Sequence, residues 1–284
     1  MFYMKKIPLN NPFSAPVFHL ETTGSTMLDA RNLASLNEPH GSVVVADVQE
    51  AGRGRIANRP WKSEKGKNLL FTILLRYPGI AAIPPALTLR TGLALALAIE
   101  DFAPALQGRL QVKWPNDVMI PLPKAGAFGK AAGILTEGDG ANVYIGVGVN
   151  VGQTEFPADI RDKAGSIALA LGKTRVEALP PDSRFRLLEA FLHRLYAELE
   201  GSAQTGDGWR ERLEKRLYMK GRKVRFIAGA ADSGRVVEGV LCGIGLGGEL
   251  LIQGQDGTEA FVTGELRASA FTFINPEPPK NHEE

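Results

Sequence analysis

Residues 43–48 read Val-Val-Val-Ala-Asp-Val, and this run ends at Gln49 ahead of the loop Ala51-Gly52-Arg53-Gly54-Arg55. A short apolar run bounded by turn residues predicts a buried strand. Residues 69–75 predict a second strand. Pro84 and Pro85 then open a helix through Leu93, Leu95 and Leu97 to about residue 102. It is apolar on most sides, so it belongs in the interior. Val112 lies in a short strand entering Lys113-Trp114-Pro115-Asn116-Asp117, and residues 132–137 and 143–151 predict two more strands around the turn Gly138-Asp139-Gly140. Leu188, Phe191, Leu192, Leu195 and Leu199 recur at helical spacing, from a start at Pro180-Pro181-Asp182-Ser183 to an end at Gly201.

Beyond about residue 218 the pattern shifts to short alternating segments, 223–226, 235–241, 250–253 and 259–262, separated by glycine-rich turns. That spacing predicts a small all-β barrel. Residues 275–284 are rich in proline and charge and predict a disordered tail. The expected organisation is therefore 1–217, 218–274 and the tail 275–284.

Composition narrows the function classes. Lys and Arg total 33 against 31 for Asp and Glu, so no global field favours nucleic acid or membrane. Anion binding must come from local clusters. Cys242 is the single cysteine, which fits a reducing cytoplasm. Residues 1–11 carry Lys5 and Lys6 without a long apolar stretch, so a signal peptide is not expected. No apolar run reaches roughly 18 residues, and no transmembrane helix is expected. His19, His40, His193 and His282 lie far apart, so zinc chemistry is not expected either.

Five segments carry candidate chemistry, each with a plainer alternative. In the loop after Gln49, Gly52 and Gly54 allow close backbone approach, while Arg53, Arg55 and Arg59 offer forks for phosphate or carboxylate. A solvated or RNA-contacting basic loop is the alternative. Asn116 and Asp117 can hold magnesium or a nucleotide, or close an Asx turn on their own backbone. Lys130, which opens the segment Lys130-Ala131-Ala132-Gly133-Ile134-Leu135-Thr136-Glu137, is either an ammonium that needs an anion or a strand-end lysine reaching for water. The glycines of Gly146-Val147-Gly148-Val149-Asn150 imply close approach of a ligand or of another backbone. Ser25 or Thr26 reads as a helix N-cap, with Thr26 and Asp29 at capping-box spacing. A helix N-terminus also attracts polar ligands.

The order and spacing of these segments, from Ser25-Thr26 to Gly146-x-Gly148-x-Asn150, resembles the biotin protein ligase family from about His19 to Arg267. In the last part, Gly239-Val240-Leu241, Gly247-Gly248-Glu249-Leu250 and Thr263-Gly264-Glu265 resemble the family's SH3-like barrel. The resemblance implies an α+β chain: a mixed sheet with flanking helices, related to class II aminoacyl-tRNA synthetases, plus that barrel. It implies an ATP-dependent ligase that forms biotinyl-5′-AMP and transfers biotin to a lysine of a biotin carboxyl carrier protein, with Mg²⁺ as cofactor. Ser25, Thr26, Met27, Gln49, Arg53, Gly54, Arg55 and Lys130 would surround biotin and its activated carboxyl, with Lys130, Arg53 and Arg55 catalytic. Asn116, Asp117, Asn150 and Trp61 would face ATP and the adenylate, with Asp117 also a magnesium ligand.

Three departures stand out. Met27 occupies a position where the family usually has Asn, Ile56-Ala57-Asn58 is a longer link before Arg59, and Arg267 comes early after Thr263-Gly264-Glu265. Only 24 residues precede Ser25, too few for the winged helix-turn-helix of regulatory family members, so DNA binding is not expected. A homodimer stays open. The rivals are a lipoate or octanoyl protein ligase on the same scaffold, a nucleic-acid-binding module, and a biotin-binding protein without catalysis.

Overall fold

The computed structural model describes residues 4–55, 61, 63–124, 126–172, 179–180, 182–200, 208–229 and 234–267. Residues 56–58, Arg59, Pro181, Gly201 and the tail 275–284 lie outside these described residues.

Eight strands form one sheet: β1 (Lys5–Ile7), β2 (Val17–Thr23), β3 (Ser42–Gln49), β4 (Asn68–Arg76), β5 (Gln111–Lys113), β6 (Asp117–Pro121), β7 (Phe128–Asp139) and β8 (Asn142–Asn150). Their order is β1-β2-β3-β4-β8-β7-β6-β5. The sheet is mixed because β2 and β3 run parallel while every other neighbouring pair is antiparallel. A parallel pair needs a crossover. Helix α1 (Thr26–Ser35) supplies it and covers one face around Val44, Ala46 and Leu74.

The described helices that follow are α2 (Leu87–Phe102), α3 (Ile167–Ala170), α4 (Ser183–Leu199) and α5 (Gly208–Glu214). The opposite face of the sheet packs Val43, Val45, Phe71 and Ile73 against α2 and α4, with Phe71 and Phe191 ring centroids 5.1 Å apart. Coverage on both sides explains why β4 reads as a nearly continuous apolar run, interrupted at Thr72, rather than an alternation. The segment Ile80–Phe102 has a mean hydropathy of 1.5, which is long and apolar enough to cross a membrane by composition. Here Leu93, Leu95 and Ile99 are fully buried against the sheet and its neighbours, and Arg90 is ion-paired to Glu198 of α4 at 2.9 Å.

The second sheet consists of β9 (Lys223–Ala228), β10 (Arg235–Ile244), β11 (Leu250–Gln253), β12 (Thr258–Phe261) and β13 (Gly264–Arg267). It is antiparallel in the order β12-β11-β10-β9-β13, with β12 and β13 as its two edges, so it is an open sheet. Its apolar face, including Phe226, Leu241 and Ile252, shares a core with Leu89 and Leu93 of α2 and with Trp114. Trp114 also donates its indole N–H to the Gly248 carbonyl at 3.0 Å. The tryptophan of the Lys113–Asp117 block is therefore a structural peg between the two sheets. Glu100 of α2 and Arg216, in the segment between α5 and β9, form an ion pair at 2.6 Å in which Glu100 is almost wholly buried.

The structure extends the expected strands and adds others. The short strand expected at Val112 is β5, whereas β1, β6 and β13, which were not expected, are three to five residues long, too short to show a period of their own, and β2 was not expected either. The expected capping box is absent. Ser25 takes the N-cap position without a side-chain capping bond, and Asp29 instead accepts the Thr23 hydroxyl at 2.6 Å. Burial raises the Asp29 pKa, and this hydrogen bond partly opposes the shift.

Candidate active site

Three strands provide a floor with little side-chain volume. Thr72 of β4 is in register with Gly146 of β8, and Gly148 of β8 with Gly133 of β7. Side chains from elsewhere lie directly on these glycines. A Cβ at Gly148 would sit 2.6 Å from Trp61 Cε2, and one at Gly146 would sit 2.9 Å from Met27 Cε. The strand glycines thus admit an aromatic ring and a thioether that any side chain would displace. Above them is a cavity open to solvent, with about 550 Å³ of empty space counted out to its mouth.

One end of the cavity is polar and uncharged. The Thr26 backbone N–H and hydroxyl both donate to Gln49 Oε1, at 2.8 and 3.0 Å, and the Thr26 hydroxyl lies 2.9 Å from that of Thr72. The first turn of α1 is therefore satisfied by a side chain from the end of β3 rather than by its own cap. Ser25 and Met27 complete this wall.

The other end is cationic. Lys130 and Arg55 line it together with Trp61, Gly54 and Asn116. The Lys130 backbone is clamped by bonds from its N–H to the Lys163 carbonyl, 2.7 Å, and from Gly165 N–H to its own carbonyl, 2.9 Å. Its ammonium lies 2.6 Å from Asp117 Oδ1 and 5.6 Å from the Trp61 ring centroid. Nearby, burial lowers the Lys113 pKa; Asp117 and Glu265 oppose the shift, while Lys130 and Lys163 reinforce it.

The remaining candidates have other partners. Asn116 donates to the Ile134 carbonyl at 2.8 Å and docks the turn on β7 while still lining the cavity. Asn150 donates to the Gly165 and Lys130 carbonyls and accepts from Asn68 at 2.9 Å, so it holds the frame around Lys130. Neither Asn150 nor Asp117 is part of the cavity lining. Arg53 is on the wall, but its guanidinium binds Glu137 at 2.9 Å. Arg55 donates to the Gly264 carbonyl of the second sheet at 3.0 Å.

Asp117 already shares its Oδ1 with the Lys130 ammonium, a cation that would repel magnesium at the same carboxylate. Among the described residues, no three His, Cys, Asp or Glu side chains converge as a metal group. Sequence reasoning missed Thr72 and gave no role to Glu137, the last residue of the Lys130–Glu137 segment. A threonine inside the apolar run 69–75 was the available signal for the first.

Residues 20–150 match the model of the biotin/lipoate A/B protein ligase family. The chain is 30% identical over 254 residues to a biotin--[acetyl-CoA-carboxylase] ligase of Paracoccus denitrificans, covering 87% of this chain and 98% of that protein. It is 36% identical over 164 residues to the bifunctional ligase/repressor BirA of Bacillus subtilis, covering 55% of this chain and 47% of the relative. The chain thus spans about half the length of that relative. The solved structure of a point mutant of the biotin protein ligase from Aquifex aeolicus in complex with biotin superposes with a TM-score of 0.72 at 26% identity, covering 89% of this chain and 98% of that one.

Proposed function

The chain belongs to the biotin protein ligase branch of the biotin/lipoate A/B protein ligase family, and we propose that it forms biotinyl-5′-AMP and transfers biotin to a carrier lysine. The observation that supports this most strongly is one cavity with an uncharged polar end at Thr26, Gln49 and Thr72 and a cationic end at Lys130 and Arg55. A cyclic urea matches the first end, since it both donates and accepts hydrogen bonds. A carboxylate at the end of an aliphatic chain matches the second.

In the first step the biotin carboxylate oxygen attacks the α-phosphorus of ATP and pyrophosphate leaves. Two anions must approach, so the ammonium of Lys130 and the guanidinium of Arg55 offset the charge that concentrates between them. In the second step the carrier lysine amine attacks the acyl carbon, AMP leaves, and the amine loses its proton. No nucleophile of this chain is needed. Magnesium would enter with ATP as part of that substrate. The residues around Asp117 do not fit a site that the protein builds by itself, and no step is assigned to it. The name of the Paracoccus relative supports a carrier domain of acetyl-CoA carboxylase as the acceptor. We also read residues 218–274 as the SH3-like domain, joined to the site through Arg55 and Gly264.

Incubation with biotin, ATP, Mg²⁺ and a carrier domain, followed by weighing the carrier, tests the assignment. The carrier gains one biotinyl group; no gain overturns the reading. Lipoate in place of biotin is expected to label the carrier at least about tenfold more slowly, because its dithiolane leaves the polar end unpaired. Equal labelling would shift the assignment to a lipoate ligase. Thr72→Val keeps the volume and deletes the hydroxyl beside Thr26, so biotin affinity is expected to fall about five- to tenfold. Calorimetric titration reads that change, and unchanged affinity would remove Thr72 from the polar end.

A further inference from the structure

We propose that Glu137 is a positioning residue: its carboxylate tethers Arg53 to the end of β7 and thereby sets where Gly54 and Arg55 meet the acyl substrate. The consequence for substrate rests on the ligase reading; the tether itself does not. Arg53 Nη2 lies 2.9 and 3.1 Å from the two Glu137 carboxylate oxygens. The acceptor is built before the loop reaches it. Arg31 of α1 donates to Glu137 Oε2 at 2.9 Å and to Asp139 at 2.7 Å. Its guanidinium lies 4.6 Å from the centroid of the Tyr144 ring, and the Tyr144 hydroxyl donates to Asp139 at 2.9 Å. Three elements, α1, β7 and β8, therefore hold the carboxylate in place.

The charge arithmetic supports a tether rather than an anion ligand. Arg31 and Arg53 face Glu137 and Asp139, two cations against two anions, so Arg53 is already neutralised where it sits. Its side chain is 58% exposed while that of Glu137 is 22% exposed, so the loop partner is the looser of the two. An exposed pair of this kind is weak and reversible. That suits a loop that must admit substrate and then close. Two residues further on, Arg55 binds the Gly264 carbonyl, so the loop is fixed to both sheets, and loss of one attachment frees it to shift.

The test uses the full chain with Glu137→Gln, Arg53→Met and the double variant. Hydrogen exchange of the Gly52–Arg55 amides, measured without ligand, is expected to speed up about fivefold in each single variant and no further in the double. The apparent KM for biotin in adenylate formation should rise by a similar factor, with kcat falling less. Unchanged exchange in either single variant, or additive effects in the double, overturns the tether. Faster exchange with an unaltered KM overturns the positioning role. A wild-type chain that makes no biotinyl-5′-AMP refutes the ligase reading instead, and the exchange result still decides the tether.

Discussion

Lys130→Ala is expected to slow biotinyl-5′-AMP formation about 10²-fold or more while the fold survives. Two effects act in the same direction. The variant removes an ammonium from the cationic end of the cavity, and it leaves the Asp117 carboxylate, formerly 2.6 Å from that ammonium, without its counter-ion near an incoming anion. Partial exclusion of water strengthens both, because Asp117 is only 20% exposed. The strand itself has no need of the side chain, since the bonds to Lys163 and Gly165 run through the Lys130 backbone. Single-turnover adenylate formation, read with a thermal melt, separates chemistry from folding. Adding Asp117→Asn to the Lys130→Ala chain should recover part of the rate by removing the stranded carboxylate. A folded Lys130→Ala variant with the wild-type rate would return Lys130 to a lysine that merely reaches for solvent.

Arg55→Gly is expected to separate making the intermediate from keeping it. The substitution removes a cation from the cavity wall and breaks the 3.0 Å bond to Gly264 that holds the loop against the second sheet. It also places two glycines in succession, Gly54 and the new residue, which widens the conformations open to the loop. Lids over reactive intermediates contribute chiefly by excluding water and delaying escape. The variant should therefore still form biotinyl-5′-AMP but release it about tenfold faster or more, and the free mixed anhydride should acylate lysines on bystander proteins. Quench-flow measurement of adenylate, paired with a mass-spectrometric count of biotin on an added unrelated protein, reads both halves. Slow formation with no bystander labelling would confine Arg55 to phosphate stabilisation in the first half-reaction.

Arg53 and Arg55 show how far sequence reasoning reaches into such a site. Both were legible as loop cations beside flexible glycines, and nothing in the spacing distinguishes them. The structure gives one to Glu137 and the other to a carbonyl of the second sheet. Asn116, Asp117 and Asn150 were equally ambiguous between ligand and scaffold. Their bonds to Ile134, Lys130, Gly165 and Asn68 assign much of their capacity to the frame. Gly146 and Gly148 were legible as a demand for close approach, and the groups that approach are Met27 and Trp61.

By itself the sequence determined the buried strands β3, β4, β7 and β8, the core helices α2 and α4, the strand segments beyond residue 222, and the segments from which the cavity is built. These follow from the period and extent of apolar positions, which depend on a backbone geometry that repeats locally. Only the tertiary structure decided which polar group each of these segments meets. Thr26 finds Thr72 across 46 residues, Arg53 finds Glu137 across 84, and Arg55 finds Gly264 across 209. A hydrogen bond or ion pair is a matter of distance and direction in space, and chain separation on that scale carries no trace of either in the local pattern.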